Sequence, residues 1–167
     1  MATLDDGYVI DPGVDIGHVH LKVADIARSL DFYCGLLGFE LMARYGPSAA
    51  FISAGGYHHH IGLNTWESLG GSPPAPGTTG LFHTAIRYPT RKQLAIALTR
   101  LRDAEWPITG ASDHGVSEAI YLNDPDQNGV ELCWDRPKDQ WPAPEPGEKV
   151  AIFTAPLDLA DLLRQAE

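Results

Sequence analysis

The chain is poor in several things. Two cysteines, Cys34 and Cys133, in 167 residues are too few for a disulfide scaffold and read as reduced packing residues. No apolar run approaches the ~20 residues of a membrane-spanning helix. The N-terminal MATLDDGYVIDPG lacks the basic-then-apolar pattern of a signal peptide. A cytoplasmic protein with no membrane partner is therefore expected. Basic residues are scarce: 12 Lys and Arg stand against 22 Asp and Glu, giving a net charge of -10 and a pI near 5.0. Such a field repels nucleic acid and anionic membranes. It leaves open a small acidic substrate steered by a local Arg or Lys. What is present, 44% hydrophobic and 20% charged residues, suits one good-sized globular domain or two small modules sharing a core.

Two halves read alike. After an irregular arm over residues 1–14, Ile16 to Val23 alternates, with Val19, Leu21 and Val23 opposite His18, His20 and Lys22. That period of two marks a half-buried strand. Ile26, Leu30, Tyr33 and Leu37 follow at helical spacing, with Asp25 as N-cap and Gly38 as the residue after the last turn. Phe39–Tyr45, Ala49–Ala54 and Tyr57–Thr65 read as three strands, giving β-α-β-β-β over 15–66. Residues 67–79, rich in Gly, Pro, Ser and Thr, form a linker. The pattern then restarts over 80–135. Leu81–Tyr88 is a strand, and Thr90–Ala104 is a helix with Leu94, Ala97, Leu98 and Leu101 inward. Thr90 and Gln93 fit a capping box at its start. Ala119–Leu122 and Val130–Trp134 are strands joined by the turn formers of Asn123–Gly129. The order repeats although residue identity between the halves is low. The tail, 136–167, is Pro-rich and ends in a short helix near Leu157–Gln165 that packs on the body or on another subunit of a homo-oligomer such as a dimer.

The chemistry lies at corresponding positions. His18 and His83 each occupy the first strand of a half, and Glu131 the last strand of the second. Val130, Leu132 and Trp134 take one face of that strand, which leaves Glu131 on the other. The plainer reading is an edge strand with Glu131 in water. A carboxylate among apolar residues otherwise needs a partner or a cation. Two histidines and one carboxylate match the facial triad that holds non-haem Fe(II) with open positions, and they also suit Mn(II), Co(II), Ni(II) or Zn(II).

These residues resemble the vicinal oxygen chelate superfamily of glyoxalases, bleomycin- and fosfomycin-resistance proteins and extradiol dioxygenases, over about residues 15–135. The resemblance implies an α+β fold in which two tandem βαβββ modules form a curved, cup-like mixed sheet around a central metal site. Within the superfamily the chain looks most like the catalytic domain of extradiol catechol dioxygenases. That family takes its iron ligands from the places held here by His18, His83 and Glu131. Its motif of an aromatic residue, a turn and His-His resembles Phe51 to Leu63, which puts His59 at the acid/base position. His114-Gly115, Ile120-Tyr121 and Asp124-Pro125-Asp126 follow in the family's order, although Gln127 stands where the motif has Gly. The resemblance thus implies catalytic roles for His59, His114 and Tyr121, an Fe(II) or other divalent cofactor, and a small aromatic vicinal diol and dioxygen as partners. An imidazole near neutrality can take and return a proton, and Tyr121 and His114 can hydrogen-bond substrate oxygens. Phe51, Tyr57 and Trp66 suit a pocket wall or the core alike. His20 shares a face with His18 as a neighbour or competing ligand. In a glyoxalase-like lyase or isomerase, the alternative, His60 would be a fourth ligand and His59 would face elsewhere. A non-catalytic resistance module has no need of this set. If Tyr57–Thr65 is a strand, only one of His59 and His60 can face the cup, and the dioxygenase pattern selects His59.

Overall fold

A computed structural model describes residues 7–167, so the first six residues of the expected arm lie outside it. The first half builds one sheet. Strand β1 (Val19–Lys22) lies parallel to β4 (Ile61–Asn64), followed outward by β3 (Ala49–Ser53) and β2 (Glu40–Tyr45) in antiparallel order. The second half repeats this: β5 (Thr84–Arg87) is parallel to β8 (Gly129–Asp135), then come β7 (Ser117–Asn123) and β6 (Ile108–Asp113). A two-residue strand from the tail, β9 (Ala155–Pro156), adds to the β6 edge. The architecture is the expected mixed α+β one, with its strands divided between two mixed sheets of four and five strands. The parallel pairs require crossovers, and a helix supplies each one.

In the first half the crossover is α1 (Ile26–Leu30), running on into a π-helical turn over Asp31–Leu36. The Asp25 side chain accepts from the Arg28 N–H, capping the helix as its sequence position indicates. The wider turn is a departure from the expected α-helix. Leu37 N–H reaches the Phe32 carbonyl, and Phe32 and Tyr33 both turn inward, at 2% and 1% exposure. A 3.6-residue period selects Tyr33 and passes over Phe32. The expected glycine terminator holds: Gly38 has φ +87°. In the second half the crossover is α2 (Arg91–Asp103), where the Thr90 hydroxyl accepts from Gln93 N–H. Leu94, Ala97, Leu98 and Leu101 are buried as read from their spacing. The terminal helix, α3 (Leu159–Arg164), packs against α2 and buries Leu162.

The two halves share one apolar core, from Leu21, Ile52 and Leu63 through Leu94 and Leu101 to Ile120 and Leu132. Each such side chain contributes roughly 1.5–3 kcal/mol of burial. Polar bonds fix the halves to each other at the turn between β7 and β8. Asp124 accepts from the backbone N–H groups of Asp126 and Asn128, from the Asn128 amide and from the buried Tyr33 hydroxyl. Burial, together with the Asp124 charge, raises the Tyr33 pKa far above that of a free phenol. Asp126 Oδ1 accepts from Ala24 N–H and from the Arg28 guanidinium. On the other side of the core Arg100 donates to the carbonyls of Gly35 and Leu36, which the π-helical turn leaves free.

Gln127 sits in this turn with φ +65°. That left-handed conformation is the physical reason a glycine suits the position. Gln127→Gly is expected to stabilise the protein by about 1 kcal/mol, raising Tm by about 2–4 °C in a chain of this size. Differential scanning calorimetry on the two proteins checks this, and an unchanged or lower Tm counts against the strain.

Three expectations about strands require correction. His18 and His83 each stand one residue ahead of their strands, β1 and β5, instead of within them. The stretch from Tyr57 to His60 is an irregular bend, and the strand begins only at Ile61. Gly55 and Gly56, at φ +66° and +78°, turn the chain tightly out of β3. His60 ties the stretch back to β3, its N–H donating to the Ile52 carbonyl and its Nδ1 accepting from the Ala54 N–H. The strict alternation of His58, His59 and His60 therefore fails. Strand β6 is the third correction, since the sequence reading locates no strand between the second helix and Ala119.

Candidate active site

Equivalent strand positions in the two sheets carry complementary residues. In the first sheet Gly62 of β4 is paired with His20 on one side and Phe51 on the other. In the second, Glu131 of β8 is paired with Ala85 and Tyr121. In the first half the small residue, Gly62, stands between two rings, whereas in the second the small residue is Ala85, beside Glu131. A Cβ on Gly62 would stand 2.9 Å from the His20 ring. Only the second half has room for a long acidic side chain at this position.

His83 Nε2 lies 2.8 Å from Glu131 Oε2, and the two side chains are 30% and 13% exposed. Their approach depends on Gly129, where a Cβ would collide with the Phe82 carbonyl and crowd His83. His83 Nδ1 is buried and has no hydrogen-bond partner among the described residues. The Tyr121 ring stands beside His83, with centroids 5.7 Å apart. Burial, and secondarily the Glu131 charge, raises the Tyr121 pKa. Tyr121 Oη is 2.7 Å from His114 Nε2, and His114 Nδ1 is 2.7 Å from the Phe153 carbonyl oxygen. A cleft of about 410 Å³, with Phe82, His83, Gly110, Tyr121 and Val130 among its walls, opens here. That volume suits a small organic ligand.

A second group of rings belongs to the first half. His18 packs on His59 with centroids 4.4 Å apart, and Phe51 lies 5.0 Å from His59 on another side. His58 Nδ1 and His59 Nδ1 are 2.7 Å apart, so these sequence neighbours do not take opposite faces. Partial burial, and then the neighbouring imidazoles led by His18, hold the His59 pKa below the ordinary histidine value. His20 lies edge-on to Phe51 and 5.5 Å from Trp66, and its pKa is lowered by burial and by His18. His60 is engaged by other partners: its Nδ1 is 2.9 Å from Ser53 Oγ and its ring lies on Tyr57.

Of the expected metal set, the structure brings His83 and Glu131 together and leaves His18 with His59. Among the described residues no group of three or more His, Cys, Asp or Glu gathers as a metal-holding set. A neutral imidazole and a carboxylate hydrogen-bond to each other, and two imidazoles pack as rings. Both are what such donors do among themselves. Even so, the second-half pair fits a divalent cation. Two donors at 2.0–2.2 Å from one ion and about a right angle apart are separated by about 3 Å, close to the 2.8 Å observed. Sequence reading passed over the tail residues Phe153 and Thr154, whose side-chain or carbonyl oxygens lie 2.7–3.4 Å from His114 Nδ1. They are about forty positions away along the chain, with no local motif to mark them. The only nearby signal is Gly115, at φ +78° beneath the Phe153 ring.

Paired βαβββ sheets, with donor residues at the starts of β1 and β5 and on β8, define a class of fold and site. The chain belongs to the Glyoxalase/Bleomycin resistance protein/Dioxygenase superfamily, whose family model matches residues 15–132. It is 40% identical over 152 residues to the catechol-2,3-dioxygenase of Bacillus subtilis (strain 168), covering 90% of this chain and 52% of that protein. It is 31% identical over 122 residues to biphenyl-2,3-diol 1,2-dioxygenase 3 of Rhodococcus globerulus, covering 72% of this chain and 63% of that one. The chain thus spans between half and two thirds of the length of these relatives. The fold is also that of a glyoxalase/dioxygenase from Nostoc punctiforme, at TM-score 0.64 and 21% identity over 78% of this chain and 98% of that one. Lactoylglutathione lyase from Agrobacterium tumefaciens superposes at TM-score 0.57 and 21% identity, over 74% and 96% of the two chains.

Proposed function

We propose that the chain is a metal-dependent ring-cleaving dioxygenase of the extradiol type, acting on a small catechol or related vicinal-diol aromatic. The observation that carries this reading is the contact of His83, at the wall of a cleft that Tyr121 also lines, with Glu131, beside the Tyr121–His114 hydrogen bond. The 40% identity to a catechol dioxygenase supports it. His83 and Glu131, joined by His18, would hold the metal, with Fe(II) the reading and Mn(II) or another divalent ion the substitute. Bound Fe(II) supplies a Lewis acid for both diol oxygens and the redox partner that dioxygen requires.

The protein's own groups do the rest. His59, held neutral near pH 7, accepts a proton from a substrate hydroxyl and later returns it. Tyr121 orients the oxygens of the diol and of the opened ring through hydrogen bonds, and His114 acts through its own bond to Tyr121. Phe82, at the cleft, and Phe51, beside His59, offer apolar faces to an aromatic substrate. One dioxygen is consumed, the ring carbon–carbon bond next to the diol breaks, and both oxygen atoms enter the product. A four-ligand lyase would need His60 turned toward His18, against its bond to Ser53.

The same reading makes the partners a small aromatic and dioxygen, in a cytoplasmic homo-oligomer. Among the described residues no helix is long and apolar enough to cross a membrane. Protein loaded anaerobically with Fe(II) is expected to take up oxygen stoichiometrically with a catechol and release a ring-opened, strongly absorbing product. Loaded protein that leaves a panel of catechols unchanged would refute the proposal.

A further inference from the structure

The C-terminal segment beyond the family match reaches into the candidate site. Phe153 N–H is 3.4 Å from the His114 carbonyl, and β9 immediately after it pairs with the end of β6. The Phe153 ring sits over Gly115, where a Cβ would come within 2.5 Å of it and 3.0 Å of Pro142. The glycine, in its left-handed conformation, lets the tail approach this closely. The Phe153 carbonyl oxygen then lies 2.7 Å from His114 Nδ1, with Thr154 Oγ1 at 3.4 Å.

A carbonyl oxygen only accepts, so His114 Nδ1 must carry a proton and donate it. In the neutral ring Nε2 is then a bare lone pair, and the bond of 2.7 Å to Tyr121 must run from the phenol to the imidazole. The Tyr121 proton is thereby committed to His114. The phenolic oxygen turns its remaining lone pairs away from His114, so toward a ligand it is an acceptor. A tyrosine free of His114 can offer its proton to a ligand instead.

We infer that Phe153 is a positioning residue: through its carbonyl and its seat on Gly115 it fixes the His114 tautomer, and so makes Tyr121 a hydrogen-bond acceptor that selects ligands presenting a hydroxyl donor. This rests on the dioxygenase reading only for its effect on turnover. The tautomer itself is a property of the protein without metal or substrate.

The test is ¹⁵N-imidazole NMR on the metal-free chain of residues 1–167, with the His114 signals assigned by His114→Asn. His114 is expected to show a protonated Nδ1 and an unprotonated Nε2. Phe153→Gly, which removes the ring anchor, is expected to shift the ring toward exchange between tautomers. It should also lower kcat/KM for a catechol by about tenfold, the ~1.4 kcal/mol scale of one hydrogen bond. Phe153→Leu, which keeps an apolar anchor, is expected to restore most of both. The activity loss should vanish in a Tyr121→Phe background, where a merely structural defect would persist. A protonated Nε2 with bare Nδ1 in the wild-type protein overturns the inference whether or not any variant folds. So does a Phe153→Gly protein with an unchanged His114 ring. If the tautomer is as stated and no catechol is turned over, the dioxygenase reading fails and the positioning stands.

Discussion

Glu131→Ala is expected to leave a folded protein that cannot hold stoichiometric metal. The side chain lies on the face of β8 opposite Val130 and Leu132, which are 1% and 0% exposed and carry the core. Its hydrogen-bond partner is His83, so truncation removes one hydrogen-bond acceptor at a cost of about 1 kcal/mol. Neither loss should unfold the chain. The metal, by contrast, would lose its anionic ligand and half of the donor pair. Turnover is then expected to drop to background. His83→Ala should behave the same way, and His18→Ala tests separately whether the first half contributes the third ligand. Metal analysis of anaerobically loaded proteins, with circular dichroism as the control for folding, reads the result. Wild-type metal content in Glu131→Ala would refute the assignment of this pair.

His59→Ala is expected to do the reverse, keeping its metal and losing turnover by about two to four orders of magnitude, the range for a general acid/base. His59 lies on His18 and Phe51, and its pKa is held below the ordinary histidine value by partial burial first and by His18 next. Such a ring is unprotonated at neutral pH and ready to accept. His60→Ala is the contrast. Its ring is engaged with Ser53 and Tyr57, so its loss should cost little activity and no metal. Steady-state kinetics with metal content measured on the same samples separates the two. Metal loss in His60→Ala with a silent His59→Ala would favour the four-ligand lyase.

The repeat was legible because it rests on local rules. Asp25 and Thr90 cap their helices, and Gly38 ends the first one. The alternation in β8 does put Val130 and Leu132 inward and Glu131 outward. The arrangement around the histidines was not legible for equally specific reasons. Period-two reasoning assumes a strand, and Gly55-Gly56 turn the His58–His60 stretch into a bend in which adjacent side chains touch. The π-helical turn brings Phe32 inward against a 3.6-residue count. The pairing of Glu131 with Tyr121 follows from strand register, which appears only once β7 and β8 are aligned. The hold of Phe153 on His114 joins residues 39 apart, and no local motif in the sequence marks it. The resemblance supplied the roles of His59, His114 and Tyr121; composition and spacing alone reached only the two histidines and the glutamate.

The central claim is that this chain inserts both atoms of dioxygen into a vicinal-diol aromatic. Turnover of a catechol by the Fe(II)-loaded protein under ¹⁸O₂, followed by mass spectrometry of the ring-opened product, tests it most directly. The account predicts two ¹⁸O atoms per product molecule, with one dioxygen consumed per ring opened. Product carrying one or no ¹⁸O, or loaded protein that consumes no dioxygen with any catechol tried, would contradict it.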